Sequence, residues 1–203
     1  MALFVTLEGI DGSGKSTQAR LLADRLRAEG HAPVLTREPG GSPGAEEIRK
    51  LLVEGDPNRW SAETEILLFT AARRDHVERT ILPALNKGQT VICDRFVDST
   101  RAYQGATGLR DQVDNLHDLM IGVHPHLTLI FDLDPEIALS RAGGRADTED
   151  RFEKKGLAFQ EALREAYLTI ARNDPARCRV IDADGSAEQI ATRTWAKVEK
   201  VLA

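Results

Sequence analysis

The sequence predicts an α/β protein of three layers, a five-stranded parallel sheet with helices on both faces, built on a phosphate-binding P-loop. Three observations carry this. A short apolar run, Leu3 to Leu7, feeds a glycine-rich loop and then the helical pattern Ala19, Leu21, Leu22, Ala23 and Leu26. Leu127 to Leu133 is apolar almost throughout, as expected of a strand covered on both faces. Strand-like and helical runs alternate along all 203 residues with no repeat, low-complexity tract or linker, so residues 1–203 are expected to form one domain.

The loop itself matches G-x-x-x-x-G-K-[ST] over Gly9, Ile10, Asp11, Gly12, Ser13, Gly14, Lys15, Ser16 and Thr17. Glycines let the backbone curl so that successive N–H groups point at phosphate oxygens, and a helix N-terminus adds partial positive charge. The motif therefore predicts a nucleoside triphosphate site. Lys15 is expected at the β- and γ-phosphates, and the Ser16 hydroxyl on Mg²⁺.

The remaining elements follow in order. A first helix is expected from about Gly14 to Glu29, stopped by Gly30, and a second strand over Pro33–Thr36. The turn-rich stretch Arg37 to Gly44 then lies at the C-terminal end of that strand, where ligands of open α/β sheets collect, and it carries Glu38. A helix from Ala45 to about Val53 holds Arg49. Ser61 is a candidate N-cap for a helix with the apolar interior Ile66 to Ala72. Phe69 and Arg73, four apart, share a face of it. An aromatic plate beside a guanidinium suits a stacked base, although a core Phe with a solvent-facing Arg has the same spacing.

Helical pattern continues from Val77 to Leu85 with Gly88 as a stop, then a third strand over Gln89–Cys93 ends in Asp94-Arg95. An acid at the end of a buried strand in a P-loop protein is expected to assist Mg²⁺ binding, with Arg95 at the same phosphate site. In the next segment Thr100, Tyr103 and Gln104 fall at i, i+3 and i+4, which offers a hydroxyl, a ring and an amide on one helical face. Further helices are expected over Asp111–Gly122, from Pro135 to Arg141 or Ala142, over Phe152–Asn173 and over Ser186–Leu202, with a fifth strand at Arg179–Asp182. Between the first two of the last three lies a polar, glycine-hinged segment, about 142–152, with the composition of a lid.

Composition narrows the classes. A hydrophobic fraction of 41% and a charged fraction of 29% are those of an ordinary globular chain, and a net charge of −5 argues against a general nucleic-acid or membrane binder. Cys93 and Cys178 are too few for a disulfide scaffold or zinc site. No signal-peptide pattern opens the chain, so a cytoplasmic protein is expected.

Taken together, these residues resemble the thymidylate kinase family, whose members phosphorylate dTMP with ATP. The resemblance covers nearly the whole chain through residues 8–17, Thr36-Arg37-Glu38-Pro39-Gly40-Gly41, Leu68-Phe69-Thr70-Ala71-Ala72-Arg73, Asp94-Arg95, Ser99-Thr100-Arg101-Ala102-Tyr103-Gln104-Gly105 and Asp150-Arg151-Phe152-Glu153. It implies that Phe69 stacks on thymine, that Arg73 bonds its carbonyl oxygen, that Thr100 and Gln104 contact the base, and that Tyr103 lies under the deoxyribose. It assigns Arg49 and Arg95 to the monophosphate and Asp11 and Glu38 to the acceptor sugar and metal region. Residues 9–17 would bind ATP, with the adenine near Arg141 and the Asp182–Gly185 loop, and Ser16 and Asp94 would serve Mg²⁺. Since the P-loop carries no arginine, the chain resembles the bacterial type, in which lid residues, here Arg145 and Arg151, supply the catalytic charge beside Lys15, Asp94 and Arg95. A homodimer is also implied. Two other readings stay open at this level: a P-loop kinase for another acceptor, and a nucleotide switch, although Asn86-Lys87-Gly88-Gln89 lacks the Asp of a guanine-reading N-K-x-D.

Overall fold

Strands β1 (Phe4–Glu8), β2 (Val34–Arg37), β3 (Val91–Asp94), β4 (Leu127–Asp132) and β5 (Cys178–Asp182) form one all-parallel sheet in the order β2-β3-β1-β4-β5. The structure, a computed structural model, describes residues 2–56, 59–142 and 156–202. β1 lies at the centre and is buried along its whole length, which is why its sequence is apolar rather than alternating. Its two faces feed different cores. Leu3, Val5 and Leu7 pack with α1 (Lys15–Ala28), α8 (Leu157–Asn173) and α9 (Ala187–Leu202). Phe4 points the other way, into the cluster of Ile66, Val77, Phe96 and Val113. The expected α/β fold with five parallel strands and flanking helices is what the chain adopts.

The other helices are α2 (Pro43–Val53), α3 (Ala62–His76), α4 (Leu82–Asn86), α5 (Val97–Tyr103), α6 (Arg110–Met120) and α7 (Pro135–Ala142). Ser61 caps α3 as expected, its Oγ accepting from the Thr64 N–H at 3.2 Å. The helical stretch expected from Val77 is not regular: Val77–Ile81 is a π-helical turn joining α3 to α4. Pro83 supplies the reason, because it has no N–H to donate and its ring crowds the carbonyl one turn back, so the chain widens there. The third strand begins two residues later than expected, at Val91, and ends one later, since Asp94 is held in the ladder opposite Leu7 and Arg37. The long helix expected from Phe152 begins at Leu157 among the described residues, after Gly156 at φ 80°; positions 152–155 lie outside them, as does the expected lid with Arg145 and Arg151.

This register has one consequence for chemistry. It brings the C-terminal ends of β1, β2 and β3 side by side, and so sets the P-loop, Arg37-Glu38 and Asp94-Arg95 next to one another although they are far apart in sequence.

Candidate active site

The P-loop leaves β1 at Glu8 and enters α1 at Lys15. Gly14, at φ 88°, gives α1 no side-chain cap, which leaves the first amides of the helix open to an anion. Two of the glycines are fixed by close approach. A Cβ on Gly9 would stand 2.6 Å from the Phe131 carbonyl oxygen, and one on Gly12 only 2.1 Å from that of Ala138. Lys15 curls back over the loop, its Nζ donating to the Ile10 carbonyl at 2.7 Å. Burial, helped by the Arg95 charge, pulls its ammonium down to about 8 against the pull of Asp11, Asp94 and Glu8.

Arg95 sits just past β3 with φ 69°, a left-handed conformation that a side chain this size adopts only when its surroundings hold it. They do. Its Nη1 donates to Gly9 O (3.2 Å), Ser99 Oγ (3.0 Å) and Tyr167 Oη (3.0 Å), and its Nη2 pairs with Asp11. Tyr103 Oη donates to the other Asp11 oxygen at 2.9 Å. Burial alone would raise the Asp11 carboxyl, but Arg95 and then Lys15 hold it at about 2, so it stays charged. Behind this group, Glu8 is fully buried and accepts from Phe96 N (2.7 Å) and Ser99 Oγ (2.6 Å). Burial, with the Asp98 charge close by, pushes its carboxyl up to about 8. Asp98 takes the opposite course: burial raises it, yet Arg177 and Arg101 together hold it below the usual carboxylate range.

A second cleft adjoins the first. Arg73 is not the solvent-facing arginine its spacing allowed; it is 3% exposed, donates through Nε to Glu38 Oε2 (2.8 Å) and through Nη2 to Thr100 Oγ1 (3.0 Å), and lies over the Phe96 ring at 5.0 Å. The second Glu38 oxygen meets His76 Nδ1 at 3.0 Å, and His76 Nε2 meets Thr36 Oγ1 at 2.7 Å. A carboxylate only accepts, so Nδ1 carries the hydrogen shared with Glu38. Half-buried Phe69, with Thr100, Tyr103 and Gln104, lines the same cleft. Gln104 is buried, and its Nε2 donates to Glu65 Oε2 at 2.8 Å.

The cleft lined by Lys15, Ser16 and Asp94 and the cleft lined by Phe69, Thr100 and Gln104 share Asp11, Glu38, Arg49 and Arg95. They form a continuous trough from the P-loop to the aromatic wall. Arg49 crosses it from α2, its Nη1 donating to Pro39 O at 2.6 Å. Arg141, at the end of α7, donates to Ala183 O at 3.3 Å, which sets it beside the loop after β5. Ser16 and Asp94 line one wall and present hard oxygen donors, a set that suits Mg²⁺. Among the described residues no cluster of three or more His, Cys, Asp or Glu could cage a metal. Arg74 and Arg101 line neither cleft and are committed elsewhere, Arg74 to Glu78 and Met120 O and Arg101 to Asp98 and Asp114.

Sequence reasoning passed over Glu65, His76 and Tyr167, and gave Glu8, Arg37 and Ser99 no role although they stand in the quoted motifs. His76 was within reach, being three residues from Arg73 on one helix. Tyr167 was not, because it meets Ser99 from a helix 68 positions away.

Comparisons with known proteins agree with one another. A family model described as Thymidylate kinase matches residues 7–193. A curated relative from Ruegeria pomeroyi named "Thymidylate kinase" is 64% identical over 191 residues, 93% of this chain and 90% of its own length. Another of that name, from Caulobacter vibrioides, is 56% identical over 192 residues, covering 92% and 91%. Among solved structures, thymidylate kinase from Ehrlichia chaffeensis superposes with a TM-score of 0.76 at 37% identity, over 100% of this chain and 99% of that one.

Proposed function

The chain belongs to the thymidylate kinase family and has its enzyme activity, and we propose that it transfers the γ-phosphate of ATP to dTMP across the trough described above, giving dTDP and ADP for dTTP synthesis. One observation carries this reading. The P-loop cleft and the aromatic cleft share Asp11, Glu38, Arg49 and Arg95, so a donor in the first and an acceptor in the second would meet end to end over two arginines.

Each residue then has a task set by charge. The amides of residues 9–17 and Lys15 cradle the donor phosphates. Ser16 and Asp94 would hold Mg²⁺, which when bound neutralises charge on the donor phosphates. Arg95 and Arg49 hold the acceptor phosphate, and Arg95 reaches it already braced by Asp11, Ser99 and Tyr167. Phe69 stacks on the base, Arg73 donates to a base carbonyl, Thr100 and Gln104 complete the base edge, and Tyr103 underlies the sugar. Glu38 fixes Arg73 and faces the sugar. Arg141 is assigned to the adenine, and Arg145 and Arg151 to the transferring phosphoryl group. An acceptor phosphate is mostly ionised at neutral pH, with a second pKa of about 6, so alignment and electrostatics suffice without a general base.

A homodimer and a cytoplasmic setting complete the proposal. Support for the dimer comes from the α3–α6 side. Leu67 on α3 is 58% exposed and Leu119 on α6 79% exposed, large apolar side chains that a partner subunit could cover. No helix among the described residues is long and apolar enough to cross a membrane.

Coupled ADP release with ATP and Mg²⁺ tests the reading, comparing dTMP with dUMP, dCMP, AMP and no acceptor. Turnover that depends on dTMP supports it. Turnover on a different monophosphate alone would keep the phosphotransfer and discard the base assignments.

A further inference from the structure

Gln104 is 2% exposed and lines the aromatic cleft, and its Oε1 is buried with no hydrogen-bond partner among the described residues. Its Nε2 donates at 2.8 Å to Glu65 Oε2 on α3, a carboxylate 7% exposed. A free glutamine amide turns either end to a ligand, since both ends are similar in shape. Here one end is spoken for. An ionised carboxylate accepts and does not donate, so the amide nitrogen must face Glu65 and the carbonyl must be the end left over. A buried acceptor without a donor is costly, and the site gains when a ligand brings one.

Across the cleft, Arg73 can only donate, and its guanidinium is fixed by Glu38 and Thr100. The two side chains thus present a donor and an acceptor. A pyrimidine with a carbonyl at C4 and a hydrogen on N3 matches both. Cytosine is the reverse at each place, with an amino group at C4 and a lone pair on N3. We infer that Glu65 is a positioning residue for base selection, holding the Gln104 amide with its carbonyl turned away from Glu65 so that the site accepts keto pyrimidines and rejects cytosine. The inference rests on the reading of this cleft as the acceptor site. It deepens that reading by assigning a specificity role to a side chain that itself meets no base edge. Neither partner of this pair reads the 5-methyl group, so Glu65 does not separate thymine from uracil.

The test measures kcat/KM of the full chain for dTMP, dCMP and dUMP in wild type, Glu65→Gln, Glu65→Ala and Glu65→Asp. A glutamine at 65 can accept or donate, and an alanine does neither, so both free the Gln104 amide to turn. Each is expected to lower the dTMP/dCMP ratio roughly tenfold or more while the dTMP/dUMP ratio moves by no more than about twofold. Glu65→Asp keeps an acceptor-only group and is expected to retain most of the dTMP/dCMP preference. Binding of the three monophosphates without ATP, followed by calorimetry, should show the same pattern. A parallel loss on all three acceptors in the Gln and Ala variants, or an unchanged dTMP/dCMP ratio, overturns the inference and leaves the acceptor site standing. A wild-type enzyme with no preference for dTMP over dCMP overturns the reading on which it rests.

Discussion

Replacing Arg73 probes a deeply buried ion pair beside the aromatic cleft. Arg73 and Glu38 meet at 2.8 Å with side chains 3% and 4% exposed. Arg73→Met keeps the volume and removes the charge. Glu38 is then left buried with His76 Nδ1, at 3.0 Å, as its remaining close partner. Stranding one charge of such a pair typically costs about 3–5 kcal/mol. Loss of the bond to Thr100 and of the contact over Phe96 adds to this, each by roughly 1 kcal/mol. The expected total, about 5–7 kcal/mol, corresponds to a fall in Tm of roughly 10–28 °C for a protein of this size. Removing both charges tells more than removing one. Glu38→Met/Arg73→Met strands neither partner, so the double variant should be more stable than the sum of the singles requires, by about 2 kcal/mol or more. Urea unfolding of wild type, both singles and the double closes this cycle. Additive losses, within about 0.5 kcal/mol, would show that the two side chains do not work as a pair and refute the reasoning.

Three further outcomes follow from the same geometry. Gly12→Ala drives a methyl to 2.1 Å from the Ala138 carbonyl at φ 81°, whereas Gly14→Ala meets nothing within 4 Å and bears only its φ of 88°; thermal melts should show the first variant clearly less stable than the second, whose cost is about 1–2 kcal/mol. Lys15, drawn down to about 8 mainly by burial, must be charged to hold phosphates, so ATP affinity should be full below that pH and weaken by up to about tenfold per pH unit above it, with proton uptake visible by calorimetry in buffers of different ionisation enthalpy; affinity unchanged to pH 10 would contradict this. Tyr167→Phe removes the hydroxyl that stands 3.0 Å from Arg95 Nη1 and 2.9 Å from Ser99 Oγ, and should lower kcat/KM for the acceptor roughly tenfold with little change in the KM for ATP.

Legibility in the sequence followed the range of the interactions. The P-loop could be read because strand, glycine turn and helix are contiguous, and the buried strand at Leu127 could be read because burial on both faces leaves an unbroken apolar run. Spacing alone could not decide Arg73, because the group that justifies burying it, Glu38, lies 35 positions upstream. Glu8 illustrates the converse. A carboxylate at a strand end reads as a solvent-facing charge, yet this one is fully buried beneath Ser99 and the Phe96 amide. The π-helical turn escaped because helical periodicity barely changes over one turn, and only Pro83 marked it. Tyr167 carried no local signal at all, since its importance comes from reaching Arg95 across 72 positions. What sequence reasoning supplied was the chemistry; what it lacked was the set of long-range partners that hold that chemistry still.

Phosphorus NMR of a reaction with ATP, Mg²⁺ and dTMP tests direct transfer between the two clefts. Direct transfer gives dTDP and ADP in equal amounts, with negligible inorganic phosphate while dTMP remains. Inorganic phosphate accumulating in step with ADP, with or without dTMP, would contradict it.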